Sequence, residues 1–283
     1  MSKNKLILFA FATNDLKKSI DRIKKQSVKS NYYDDIKIYT PNDFDQKMVS
    51  ILNSFKTKDR GYGYWFWKPM FLQKIMNEIK TDDIVHYVDI GCHIQNKNNR
   101  FKHYLNFIND KKNWILAFQY HRNNIICKKD IHFENRDEYK YTKSDLLNYF
   151  NVLNNKNITH TPQFWAGSFF LKKNSNSSLF LKEWLDVYNN SVHLIDDTSS
   201  KIKNIDGFIE NRHDQSIFSL LCKKKNIQAF SAYECEWGEK NYKRTWDHNF
   251  DNPILAKRDL EYSLFKRFLK RQKKNFNRLK KYF

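Results

Sequence analysis

Glycine and proline are scarce in this chain of 283 residues, at six and four, so no long flexible or polyproline linker divides it. The four cysteines, Cys92, Cys127, Cys222 and Cys235, are widely scattered and form no C-x-x-C pair. That spacing argues against a zinc knuckle and a disulfide framework, and it favours a reducing compartment. No apolar run approaches the ~18 residues of a membrane span. The first apolar run, Leu6 to Ala12, is too short for a signal-peptide core with a small-residue cleavage site, so none is expected. Internal repeats are missing, and so are the RNP, KH and C2H2 patterns of nucleic-acid modules. Neither a Ser-His-Asp nor a Cys-His arrangement can be argued from spacing. Nothing singles out the flanking carboxylate pair of a glycoside hydrolase.

What is there is a globular pattern beneath an Asn- and Lys-rich surface. Hydrophobic residues make up 40% and aromatics 16%, enough for a substantial core in one α/β unit of this length. The formal net charge of +20 calls for a polyanionic neighbour, whether nucleic acid, an anionic membrane face or a phosphate-bearing substrate. Much of the excess lies in the last segment, Lys257 to Phe283. There Leu260, Leu264, Phe265, Phe268, Leu269, Phe276 and Leu279 recur at three- and four-residue steps among lysines and arginines. That spacing predicts a basic amphipathic helix suited to a membrane surface, a tail outside the domain of residues 1–256.

The continuous apolar run from Lys5 to Ala12 predicts a buried strand. A helix follows over Asp15 to Lys29, then a strand at Ile36 to Tyr39, the opening of a parallel α/β sheet. Further helices are predicted at Phe44 to Phe55, Pro69 to Ile79, Ser144 to Val152, Ser177 to Asn189 and His213 to Lys224. Further strands are predicted at Asp83 to Val88, Trp114 to Phe118, Phe164 to Leu171 and Ile227 to Ser231.

Four segments carry residues suited to chemistry. Val88-Asp89-Ile90-Gly91 ends a strand on an acid, where ligands sit in open α/β sheets. Asp89 there either holds a divalent cation or caps a turn. Tyr64-Trp-Phe-Trp-Lys68 sets aromatics beside a cation, which either meets a phosphate or orients an acid; the rings either stack on a ligand or wedge the core. Asn211-Arg-His-Asp-Gln-Ser216 brings a base, a carboxylate and an amide to a helix start, where N-capping is the plainer role. Trp165-Ala-Gly-Ser168 reads either as backbone passing beneath a ligand or as a tight strand crossing.

Taken in order, these segments, with Arg60-Gly-Tyr-Gly-Tyr-Trp-Phe-Trp-Lys-Pro69, Val85-His-Tyr-Val-Asp-Ile-Gly-Cys92 and Pro253-Ile-Leu-Ala-Lys-Arg258, give the chain a family likeness. From about residue 3 to 258 it resembles bacterial and viral glycosyltransferases of the GT-A fold, which decorate surface polysaccharides such as lipooligosaccharide or capsule. The resemblance implies a Rossmann-like α/β/α sandwich with a central, mostly parallel sheet. It implies a nucleotide-sugar donor, a saccharide or lipid-linked acceptor, and a Mn2+ or Mg2+ ion. Asp89 corresponds to the first acid of the D-x-D motif, while Gly91 replaces the second. Asp214 and Gln215 resemble the Asp-Gln pair of retaining enzymes, and His248 a late metal ligand. Donor contacts are implied for Phe9, Ala10, Thr13, Arg60, Tyr64, Trp67, Lys68, Asp89, Gly91, Trp165, Ala166, Gly167 and His213. The expected location is the cytoplasm, peripheral on the inner face of the membrane, with no nucleic-acid partner. A basic nucleic-acid-binding protein and a non-catalytic carbohydrate-binding module are the alternatives.

Overall fold

The computed structural model describes residues 4–55, 60–121, 130–249 and 251–257. Cys127 and the tail expected to form an amphipathic helix, from residue 258 onward, lie outside the described residues. Six strands make the central sheet: β1 (Leu6–Phe11), β2 (Asp35–Tyr39), β3 (Ile84–Val88), β5 (Ile115–Gln119), β6 (Phe164–Lys172) and β7 (Ala229–Ser231). Between β3 and β5 runs the short β4 (His93–Ile94); β8 (Gly238–Lys240), β9 (Lys243–Thr245) and β10 (Ile254–Leu255) follow the sheet. The order across the sheet is β2-β1-β3-β6-β5-β7. The β1 pairings with β2 and β3, and that of β5 with β7, are parallel, whereas β6 runs antiparallel to both its neighbours. The expected α/β architecture with a mostly parallel sheet is therefore what the chain forms.

Alternation along the strands feeds two cores. Phe9 and Phe11 of β1, with Val85 and Tyr87 of β3, pack into one; Leu6, Leu8 and Ala10, with Ile84 and Val88, pack into the other. The first core is closed by helices α2 (Gln46–Ser54), α3 (Trp67–Glu78), α5 (Ser175–Asn190) and α6 (Asp214–Lys224). The second is closed by α1 (Lys17–Ser30) and α4 (Asn98–Asn109). Sequence reading did not predict α4, although Phe101, Tyr104 and Ile108 keep helical spacing and are buried. Helices α1 and α4 each bury one stripe and turn Lys and Asn outward, whereas α6 is buried over most of its length.

Candidate functional site

The site forms along the edge where the parallel strands end and β6 begins. Phe164 and Ala166 of β6 face the first core, and so do Phe169 and Leu171, so the strand's alternation slips once between them. The pairing with β5 slips at the same place: Phe118 lies opposite Trp165, but Leu116 lies opposite Phe170. Such a bulge turns backbone groups out of the ladder. Here the Ala166 carbonyl accepts a hydrogen bond from Lys68 Nζ at 3.1 Å. The Gly167 carbonyl accepts the Asp89 N–H at 2.8 Å. Gly167 has a packing reason as well, because a Cβ there would stand 2.4 Å from the Trp165 indole. Trp165-Ala-Gly-Ser168 therefore packs as a tight strand crossing.

Lys68 reaches this edge by way of an uncommon backbone. Gly61, Tyr62, Gly63, Tyr64 and Trp65 all have positive φ, from 52° to 85°. Together they make one left-handed turn, closed by Tyr64 N–H to Arg60 O at 2.8 Å and Trp65 N–H to Gly61 O at 3.2 Å. Left-handed backbone costs roughly 1–2 kcal/mol for each non-glycine residue, so the surroundings must hold Tyr62, Tyr64 and Trp65 there. Tyr188 donates its hydroxyl to Tyr64 O at 2.8 Å. The Trp67 indole N–H bonds Gly61 O at 2.9 Å, and its ring stacks on Phe11 at 4.0 Å. The turn hands directly to α3, and Lys68 is that helix's second residue.

At the centre, Lys68 and Asp214 form a buried ion pair, with 2% and 6% of their side chains exposed. Asp214 opens α6, so the helix N-terminus also favours its charge. Burial nevertheless pushes the Asp214 carboxyl up to about 6, with Lys68 working against the rise and Asp89 adding to it. Asp89 stands on the other side of the ammonium, its Oδ1 3.9 Å from Lys68 Nζ, and its side chain is 40% exposed. That oxygen accepts the Tyr87 hydroxyl at 2.5 Å. Of the two roles open to Lys68, the structure displays the second: it orients acids. One ammonium between two carboxylates leaves the ionised trio with a net charge of −1.

The other residues expected at the site divide into three groups. Gln215 lies beside Asp214, its Nε2 donating to Gln163 Oε1 at 2.7 Å. Thr13 follows β1 at the same edge of the sheet and is part-exposed. Gly91 lies in the turn closed by Cys92 N–H on Asp89 O at 2.8 Å. A second group is core: Phe9 packs among Tyr39, Phe71 and Tyr87, and Ala10, Trp67 and Trp165 are buried with their side chains in the two cores. Ala166 serves through its carbonyl. In the third group, Arg60 pairs with Asp197 at 3.1 Å and Glu210 at 3.7 Å. His213 is buried against Tyr64 and Trp65 and donates its Nδ1–H to Ile195 O, with its φ at 52°. Burial holds its imidazole down to about 4, against the Ile195 contact. Gln163 and Glu138, buried behind Gln215, were not expected: Glu138 stands in the charged stretch Asn135 to Lys140, which reads as surface.

For a divalent ion the donor set is thin. Among the described residues no three His, Cys, Asp or Glu side chains gather. His248 sits at the edge of the Phe133 ring with Nε2 3.1 Å from Glu236 O. A resident ion held by protein alone does not fit these residues. A half-exposed Asp89 does suit Mg2+ arriving with phosphates, since that ion takes one or two carboxylates and fills its shell from substrate and water.

No protein-family model matches the chain, and no curated protein matches it. Several solved structures are similar at low identity. One is a glycosyltransferase involved in glycosylation of the major capsid of PBCV-1, at 8% identity and TM-score 0.47, covering 93% of this chain and 98% of that one. An active-site mutant of LgtC shows 11% identity and TM-score 0.43, with 94% of each chain covered. Mouse xyloside xylosyltransferase 1 in its apo form shows 11% identity and TM-score 0.42, covering 83% of this chain and 87% of that one.

Proposed function

We propose that the protein is a nucleotide-sugar-dependent glycosyltransferase whose donor lies across Asp89, Lys68 and Asp214. The observation that carries this reading is the Lys68–Asp214 ion pair, buried at the ligand-binding edge of an α/β sheet with Asp89 3.9 Å from the same ammonium. A buried ion pair is a poor device for stability. Its value here is to hold two carboxylates side by side, facing the hydroxyls of a sugar. The net charge of −1 would repel a bare diphosphate. A divalent ion carried by the donor, Mg2+ or Mn2+, would take Asp89 and neutralise the leaving diphosphate.

In the proposed reaction an acceptor hydroxyl bonds to the anomeric carbon, the bond from that carbon to the diphosphate oxygen breaks, the hydroxyl's proton passes to the departing diphosphate, and the nucleoside diphosphate leaves. Asp214 accepts a donor-sugar hydroxyl, Gln215 lies beside it, and Lys68 keeps Asp214 ionised and aimed. The Asp214-Gln215 pair belongs with retention of configuration. The acceptor is a saccharide or lipid-linked glycan of surface-polysaccharide synthesis, built on the cytoplasmic face. The basic segment from 257 to 283 would hold the enzyme on anionic lipid there.

Thermal-shift screening against UDP-, GDP-, CMP- and dTDP-sugars, with and without Mn2+, tests the proposal. One nucleotide class should stabilise the protein and then support sugar transfer; a flat response to all four would overturn it.

A further inference from the structure

Beneath the site lies a chain of buried polar side chains that reaches from one end of α6 to the other. Glu138 is wholly buried and receives four donors. Thr142 Oγ1 lies 2.7 Å from Oε1, Gln163 Nε2 lies 3.0 Å from the same oxygen, Lys223 Nζ lies 2.9 Å from Oε2, and Ser219 Oγ also donates to Oε2. Lys223 is itself pinned, donating to Ile158 O at 2.9 Å and Thr161 O at 3.0 Å. Lys223 and Ser219 belong to α6, the helix that Asp214 and Gln215 begin.

The donor and acceptor logic of this chain has one solution. A carboxylate accepts only, so Gln163 must turn its NH2 toward Glu138. Thr142 Oγ1 at 3.2 Å and Ser216 Oγ at 3.4 Å offer lone pairs to the same NH2, because each gives its own proton elsewhere. The Gln163 carbonyl is thereby fixed toward Gln215, which must answer with its NH2, and the contact measures 2.7 Å. Gln215 is left with its carbonyl oxygen for a ligand.

We infer that Glu138 and Gln163 are positioning residues that set the polarity of the Gln215 carboxamide, so that it presents an acceptor oxygen to a sugar hydroxyl of the donor. The assignment of the sugar rests on the proposed function; the polarity relay does not. A carboxamide free to turn over would present NH2 half the time and lose discrimination for a hydroxyl donor. Gln163 is wholly buried, so the relay is shielded from water that would satisfy either orientation.

Two measurements on the full chain separate the relay from the function. The first follows side-chain carboxamide signals in 15N–1H spectra of the ligand-free protein, assigned with Gln163→Met and Gln215→Met. Glu138→Gln paired with Lys223→Met removes both buried charges together and should shift the Gln215 signals, although Glu138 reaches Gln215 only through the hydrogen bonds of Gln163. Gln163→Met, which adds no charge, should shift them too. Gln215 signals unmoved by both variants would overturn the relay. The second measures turnover with the donor found by screening. Gln163→Met should lower kcat roughly tenfold or more, leave nucleotide affinity within about twofold, and cost nothing further in a Gln215→Met background. Additive losses would overturn the relay. A wild-type protein that turns over no nucleotide sugar would defeat the function alone and leave the spectra to decide the relay.

Discussion

Lys68 and Asp214, 146 positions apart in the sequence, meet as a buried ion pair at the start of α6. Each is held from behind. The left-handed turn at 61–65 delivers Lys68, and His213, with its own positive φ, packs on Tyr64 and Trp65 of that turn and delivers Asp214. Two strained segments thus lean on each other behind the acids, as expected where geometry is held against backbone preference.

Breaking the pair from one side should be costly. Lys68→Met leaves a buried carboxylate beside Asp89 and is expected to lower stability by about 3–5 kcal/mol. Lys68→Met combined with Asp214→Leu should recover most of that loss while remaining inactive. Urea denaturation midpoints of the two variants check this; equal losses would show that the pair is not coupled.

The pH dependence follows from Asp214. Burial raises its carboxyl to about 6, so acidification below that value protonates it and releases Lys68. The logarithm of kcat/KM is expected to fall below pH 6, and Asp214→Asn should be slow and flat across that range. The stability effect has the opposite slope. The unfolded carboxyl titrates near about 4, so the folded state binds the proton more tightly and this group's contribution falls as pH rises through about 6. His213 works the other way. Its folded value is about 4 against about 6.5 unfolded, so its contribution is full above 6.5 and is lost as pH falls toward 4. Denaturation midpoints of Asp214→Asn and His213→Gln across pH 4 to 8 should therefore tilt in opposite senses.

Glycine at 61 and 63 should be irreplaceable. Both residues have positive φ, and a Cβ at Gly61 would come 2.2 Å from the Trp65 ring. Gly61→Ala is expected to cost more than the roughly 1–2 kcal/mol of left-handed strain alone and to weaken donor binding, because Lys68 follows the turn. Ala at Gly91, whose φ is not positive, should leave thermal stability nearly unchanged. Melting curves of the pair distinguish the two sites.

Metal dependence should be conditional. Mg2+ or Mn2+ alone is expected to leave the melting temperature unchanged, since Asp89 is the single acid offered. With the cognate nucleoside diphosphate present, the ion should add to the stabilisation, and EDTA should remove the added part. A melting shift from the ion alone would mean a complete protein site.

Much of the sheet was legible because β1, β3 and β6 are buried on both faces and read as largely apolar runs, broken by His86 in β3 and Ser168 in β6. The antiparallel course of β6 was not, since direction depends on connections that no local pattern records. Helix α4 was missed because Asn and Lys surround Phe101, Tyr104 and Ile108, masking a regular spacing. Nothing local announces that Tyr62, Tyr64 and Trp65 share the positive φ of Gly61 and Gly63. Asp89, Asp214 and Gln215 stood out as polar residues at element ends. Phe9, Trp67 and Trp165 were harder, because an aromatic near a ligand edge and an aromatic in the core look alike until packing decides.

The central claim is that Asp89 and Asp214, joined through Lys68, form the donor site. Its most direct test is turnover and hydrolysis of the cognate nucleotide sugar by Asp89→Asn, run beside wild type after circular dichroism has shown both folded. The account predicts that the variant keeps the wild-type melting temperature, loses transfer and donor hydrolysis, and no longer responds to Mg2+ in nucleotide binding. Wild-type turnover by a folded Asp89→Asn would contradict it.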